Sequence, residues 1–264
     1  MKIGFAQFCP LLGEPQANLT NVDRLVREGP EADLLVLPEL ANSGYNFVSK
    51  EQAWETSEEV ANSVFVESLA ELCRKQQMHL VCGVNERDGD KLFNSSVLVG
   101  PEGVVGKYRK MHLFMNEKDI FQPGDSGLPV FDIGLARVGM AICFDWFFPE
   151  VWRILALDGA DVICHPSNLI IPGLCQRAIP IHALTNHVYI VTANRIGTED
   201  DLTFTGLSTI ADPKGELLAQ AGADEELVTV VDVDIATARD KTATARNDLF
   251  ADRRPEEYRR LLNT

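Results

Sequence analysis

The 264-residue chain has no CxxC pair, no HExxH motif and no tight His/carboxylate cluster, although six cysteines and five histidines (His79, His112, His165, His182, His187) are present. Zinc and other metal chemistry therefore lacks ligands at usable spacing, and no metal or other cofactor is expected. The cysteines (Cys9, Cys73, Cys82, Cys143, Cys164, Cys175) also lack the spacing of a disulfide framework. Free thiols in a reducing cytoplasm are the expectation. No apolar run approaches the roughly 20 residues of a bilayer-crossing helix. No targeting segment is evident, because Gln7 interrupts the apolar residues 2–9, Pro10 ends them and no small-residue cleavage site follows. Basic residues are scarce, 24 against 39 acidic for a net charge of −15, which argues against nucleic-acid and anionic-membrane partners. No GxGxxG follows the first strand, and the Gly100–Lys107 stretch is one residue too long for a phosphate loop, with Tyr108 where Ser or Thr should stand. No linker divides the chain, so residues 1–264 read as one domain, with a polar arm from about 236 that ends in a helix over 255–262.

What is present is a succession of short apolar β-type runs separated by helical segments. Strands are expected over 2–8, 33–38, 79–84, 94–100, 129–133, 136–143, 160–165, 188–194, 205–211 and 227–233, and helices over 17–28, 62–77, 150–158 and 174–187. Phe65, Leu69 and Leu72 recur at the spacing of one buried helical face. The chain also echoes itself: ADLLVLP at 32–38 returns as ADVICHP at 160–166, and SVLVGPEG at 96–103 returns as STIADPKG at 208–215. Two echoes in the same order point to duplicated α/β halves. Packing their sheets face to face, with helices outside, gives a four-layer α-β-β-α sandwich.

Three polar residues stand at the ends of strand-like runs: Glu39 after LLVLP, Lys110 closing GKYRK, and Cys143 after VGMAI. Each alone has a bland explanation, respectively a rim carboxylate, a surface lysine and a small buried hydrophobe. Together they supply what amide hydrolysis requires: a nucleophile, a base that moves its proton, and a cation for the oxyanion. A lysine and a following helix N-terminus are both expected to lower the thiol pKa. His112 and His165 raise a cysteine–histidine alternative, but no sequence feature pairs either with an orienting acid.

The strings LPEL, KYRKMHLF and AICFDWFFPE closely resemble the signature blocks of the nitrilase superfamily of carbon–nitrogen hydrolases, with flanking matches in GYNF, FQPGD, GADVICHPSN and TANRIG. The resemblance spans roughly residues 3–253 and implies the α-β-β-α sandwich, a Glu39–Lys110–Cys143 triad and homo-oligomers, here a homodimer or larger even assembly, built through the helices after the cysteine. It also implies a second glutamate, matched by Glu117, that orients Lys110 and a substrate amide N–H. The expected reaction is hydrolysis of small aliphatic amides through a Cys143 thioester, with Lys110 and the Phe144 N–H holding the oxyanion and Tyr45, Phe144 and Trp146 contacting substrate. Nitrile hydrolysis ranks second, because Phe144 and Asp145 follow the cysteine where nitrilases more often have Trp then Glu. N-carbamoyl amine hydrolysis ranks third, since no basic residue follows Cys143 until Arg153. A non-catalytic scaffold is the remote alternative.

Overall fold

A computed structural model describes residues 1–262, so the last two positions of the expected 1–264 domain lie outside the described residues. The elements that position the site are, in chain order, β1 (Lys2–Gln7), α1 (Pro15–Glu28), β2 (Leu34–Val36), α2 (Lys50–Glu55), α3 (Val64–Gln76), β3 (His79–Asp88), β4 (Lys91–Gly100), β5 (Gly103–Arg109), α4 (Glu117–Ile120), β6 (Val130–Asp132), β7 (Arg137–Met140), α5 (Pro149–Leu157), β8 (Val162–Ser167), α6 (Leu174–Asn186) and β9 (Tyr189–Asn194). Pro15 and Pro149 open α1 and α5, where a missing N–H costs nothing. Ser63 caps α3 by accepting from the Val66 N–H at 3.0 Å, and Phe65, Leu69 and Leu72 form its buried face as their spacing predicts.

Two six-stranded sheets result. One runs Leu227–Asp232, β1, β2, β3, β4, β5; the other runs β6, β7, β8, β9, Thr209–Ala211, Leu217–Gln220. In each sheet the second to fourth strands are parallel and the rest antiparallel. The sequence echoes fall on matching strands. β2 and β8 are both third in their sheets, and the aspartates that precede them do the same work. Asp33 accepts from the Lys2 N–H at 2.7 Å, and Asp161 accepts from the Arg137 N–H at 2.9 Å. Gly103 and Gly215, which end the second echo, both adopt positive φ (115° and 81°).

Ile3, Phe5, Leu34 and Val36 of the first sheet share one apolar cluster with Val138, Met140 and Val162 of the second. α1 and α3 pack on the outer face of the first sheet through Val22, Leu25, Phe65 and Leu69. α5 and α6 cover the second through Trp152, Leu155 and Ile179. The layers are thus helix, sheet, sheet, helix. No helix among the described residues is long and apolar enough to cross a membrane.

Some expected boundaries shift. The run 205–211 pairs only at Thr209–Ala211, because Gly206 and Leu207 take positive φ (56° and 55°) and bend the chain out of the ladder. The strand expected over 136–143 ends at Met140, leaving Cys143 on a turn. The terminal helix expected over 255–262 is two 3₁₀ turns, Pro255–Glu257 and Arg259–Leu262. Leu261 and Leu262 are exposed there, so no packing offsets the cost of nucleating so short an α-helix. The arm itself is held by Arg239 on Asp161, by Lys241 donating to the carbonyls of Asn186 and His187 at the end of α6, and by Phe250 under Arg153.

Candidate active site

Glu39, Lys110 and Cys143 are carried by three chain segments that leave the facing sheets. Beyond β2 the backbone keeps bonding to β3: Leu37 N–H donates to Val81 O at 2.8 Å and Ala41 N–H to Gly83 O at 2.8 Å. A side chain at Gly83 would put its Cβ 2.4 Å from the Glu39 Cα, so glycine there lets the glutamate turn approach the sheet. Lys110 follows β5 and is gripped from both sides, donating its N–H to Asn94 O and accepting the Gly124 N–H, both at 2.8 Å. Gly124, in the FQPGD block, sits where a Cβ would lie 1.9 Å from Arg109 O. Cys143 opens the 3₁₀ turn Cys143–Phe147 with φ of 42°, a left-handed conformation that costs a non-glycine residue about 1–3 kcal/mol. The turn is held by the His165 Nε2–H donating to Cys143 O at 2.9 Å and by Asp145 accepting the Ile142 N–H at 2.9 Å.

Lys110 Nζ donates to Glu39 Oε1 at 2.6 Å and to Glu117 Oε1 at 2.7 Å, with all three side chains buried. Asn94 Nδ2 also donates to Glu39 Oε1, at 2.7 Å, whereas Glu39 Oε2 is buried without a hydrogen-bond partner. Glu117 accepts from the Tyr45 hydroxyl at 2.8 Å and from the Phe114 N–H at 3.0 Å. Burial opposes the charge on Lys110, but Glu117 and Glu39 outweigh it and hold the ammonium above the ordinary lysine value. Burial, helped by the charge of Glu39, raises the Glu117 carboxyl despite Lys110.

The expectation of a lowered thiol pKa is overturned. Burial, then the Glu39 charge, push Cys143 well above the ordinary thiol value; Lys110 pulls the other way and loses. The turn after Cys143 is a 3₁₀ turn, and α5 begins only at Pro149, so its N-terminus does not directly follow the cysteine. Burial and the neighbouring carboxylates therefore favour the protonated form of Cys143.

Phe144 and Trp146 line a cavity of about 40 Å³ at Cys143, walled also by Phe114, Phe147, Leu169 and Ile171. Tyr45 lies apart from it. It lines an adjoining space of about 120 Å³ that includes Glu117 and shares Phe114 and Ile170 with the first. Among the described residues, no Lys, Arg or His side chain lines either space, although Lys110 lies behind Glu117 at 2.7 Å. Among the described residues, no group of three or more His, Cys, Asp or Glu side chains is placed to hold a metal ion.

Several contributors escaped the sequence reading. Asn94 was legible as a polar break inside an apolar strand. Asn168, whose Nδ2 donates to Glu39 O at 3.0 Å, gave no local signal. Burial pushes His165 down to about 4, so the ring that donates to Cys143 O stays neutral. His112 does have an acid partner, Asp145, at 2.7 Å, thirty-three residues away in the chain.

A family model described as carbon-nitrogen hydrolase matches residues 2–242. The chain is 47% identical over 260 residues to a protein of Pyrococcus abyssi called nitrilase, covering 98% of this chain and 99% of that one. It is 36% identical over 252 residues to an (R)-stereoselective amidase of Pseudomonas sp, covering 94% and 89%. Among solved structures, an amidase from Nesterenkonia sp. AN1 in which acrylamide has added to the active-site cysteine superposes with a TM-score of 0.83 at 27% identity, covering 99% of each chain.

Proposed function

The chain belongs to the carbon–nitrogen hydrolase family, and from that premise we propose that it hydrolyses small aliphatic amides to the carboxylic acid and ammonia. The observation that carries the reading is the buried Lys110 ammonium, clasped between Glu39 and Glu117 at 2.6 and 2.7 Å, while Glu39 Oε2 has no hydrogen-bond partner and the Glu39 charge acts on the Cys143 thiol.

The Cys143 Sγ–H gives its proton to Glu39 as the sulfur attacks the amide carbonyl carbon. The C=O π pair moves onto oxygen, where Lys110 and the Phe144 N–H stabilise the charge. As the tetrahedral species collapses, the C–N bond breaks and the nitrogen takes the proton from Glu39, so ammonia leaves and a thioester remains. Water then gives a proton to Glu39 and attacks the thioester carbonyl. The C–S bond breaks, the acid departs, and the proton returns to sulfur. Glu117 keeps Lys110 aimed. The apolar walls from Phe114, Phe144, Trp146 and Phe147 favour a short hydrocarbon acyl group.

Hydrolysis of the matching nitriles is a second reading, supported by the 47% identity to the P. abyssi protein called nitrilase. Ammonia release from a panel of two- to five-carbon amides, matched nitriles and N-carbamoyl amines decides between them. Release from amides is expected, with loss of roughly 10⁴-fold or more in Cys143→Ala. Turnover of nitriles alone would select the second reading, and turnover undiminished in Cys143→Ala would defeat both.

A further inference from the structure

We infer that Asp145 is a positioning residue that locks the nucleophile turn to the lysine segment, an inference that rests on the proposed roles of Cys143 and Lys110. Asp145 is fully buried, and each of its oxygens accepts twice. Oδ2 takes the Tyr108 hydroxyl at 2.7 Å and the Ile142 N–H at 2.9 Å; Oδ1 takes His112 Nδ1–H at 2.7 Å and the His112 N–H at 3.3 Å. The donors belong to two groups. Ile142 immediately precedes Cys143, whereas Tyr108 and His112 flank Lys110 two residues on either side. Tyr108 extends the clamp by accepting the Met111 N–H at 3.1 Å.

A single carboxylate thus spans the two sheets at the point where their catalytic segments meet. Its geometry suits the task, because four convergent donors fix both position and rotation of the carboxyl plane. The Cys143 turn needs such a fastening: φ of 42° persists in a non-glycine residue only where neighbours over-determine it. His112 is held in turn by face-to-face stacking on Phe148, with ring centroids 3.6 Å apart, which ties the far end of the same turn to the lysine segment. Asp145 makes none of its four bonds to Glu39, Lys110, Glu117 or the thiol. It acts on the reaction only by holding Cys143 at a set distance from Lys110, and a displacement of about 1 Å there costs on the order of 100-fold in rate.

The experiment compares the full chain with Asp145→Asn, Tyr108→Phe and the double variant by two readouts. These are ammonia release from a short amide, giving kcat and KM, and mass-resolved alkylation of Cys143 by 2-chloroacetamide, which needs no turnover. Expected in Asp145→Asn are a kcat lower by roughly 10- to 100-fold with KM within about threefold, and Cys143 labelling slowed by a similar factor. Tyr108→Phe should lose about three- to tenfold in both, and the double variant should be no worse than Asp145→Asn alone. Should Asp145→Asn not fold, Tyr108→Phe carries the test. Folded variants with parental labelling and parental kcat, or with KM alone changed, overturn the inference. A parent inactive on every amide whose Cys143 labelling still depends on Asp145 would refute the proposed reaction and leave the positioning role standing.

Discussion

Arg109 and Lys110 are adjacent in sequence, yet they centre two buried charge clusters of opposite character. Around Arg109 every acid oxygen of Glu86 is engaged: Oε2 takes Arg109 Nε at 3.1 Å and the Ser95 hydroxyl, and Oε1 takes Arg109 Nη2 at 2.6 Å and the Lys107 ammonium. Arg109 reaches on to Asp88 and Asp125 and lies over the Phe93 ring. Around Lys110 one ammonium serves two glutamates, and Glu39 Oε2 is left over. The Glu86 and Glu117 carboxyls shift in opposite directions. Burial opposes ionisation of Glu86, but Arg109, Lys107 and Ser95 overcome it and bring the pKa below the ordinary value. Burial of Glu117 prevails, and its pKa rises. The Arg109 cluster is saturated with donors, whereas the Lys110 cluster leaves a buried carboxylate oxygen without one.

If that contrast is right, neighbouring substitutions should separate activity from stability. Lys110→Met should lower kcat/KM by roughly 10²–10³-fold as the oxyanion loses its cation. Arg109→Met should instead cost about 3 kcal/mol of stability by leaving Glu86 buried without its main partner. Urea melts and ammonia-release kinetics on both variants check the pair, and an Arg109 variant that keeps its stability would collapse the distinction.

Glu39→Gln sharpens it further. The Glu39 charge is second only to burial in raising the Cys143 thiol, so its removal should shift the pH midpoint of Cys143 alkylation downward while amide turnover falls about 10²–10⁴-fold. Faster alkylation near neutral pH in an enzyme that hydrolyses more slowly is the signature. A midpoint that stays or rises would mean that Glu39 does not face the thiol.

The smallest effect is on the pH profile. The raised Glu117 pKa means that its ionic bond to Lys110 is lost as pH falls through a value above the usual carboxyl range of about 4.3. The acid limb of kcat/KM should therefore lie above that range, and Glu117→Gln, already neutral, should lose that limb along with part of the rate. A parental acid limb at or below the ordinary value would count against Glu117 as the group responsible.

The architecture was legible because it is written twice. The ADLLVLP and ADVICHP echoes land on equivalent strands, and their aspartates bond the equivalent neighbouring N–H groups, so the duplication carries structural as well as textual information. The candidate site was legible where a charged or nucleophilic residue ends a strand-like run, as at Glu39, Lys110 and Cys143. It was not legible where a residue gains its partner through the fold: Asn168 reaches Glu39 across 129 positions, and Asp145 reaches Tyr108 across 37.

Period-2 and period-3.6 patterning, turn glycines and the placement of polar residues after apolar strands are local properties, and the sequence alone was enough to determine the layers and to single out the catalytic candidates. The ionisation of those candidates belongs to the tertiary structure. A thiol beside a lysine reads as acidic on paper, but in the closed sandwich desolvation and two carboxylates outweigh one ammonium and raise the Cys143 pKa. The balance depends on which charges surround a buried group and how completely each is hydrogen-bonded, and those neighbours meet only when the two sheets close on each other.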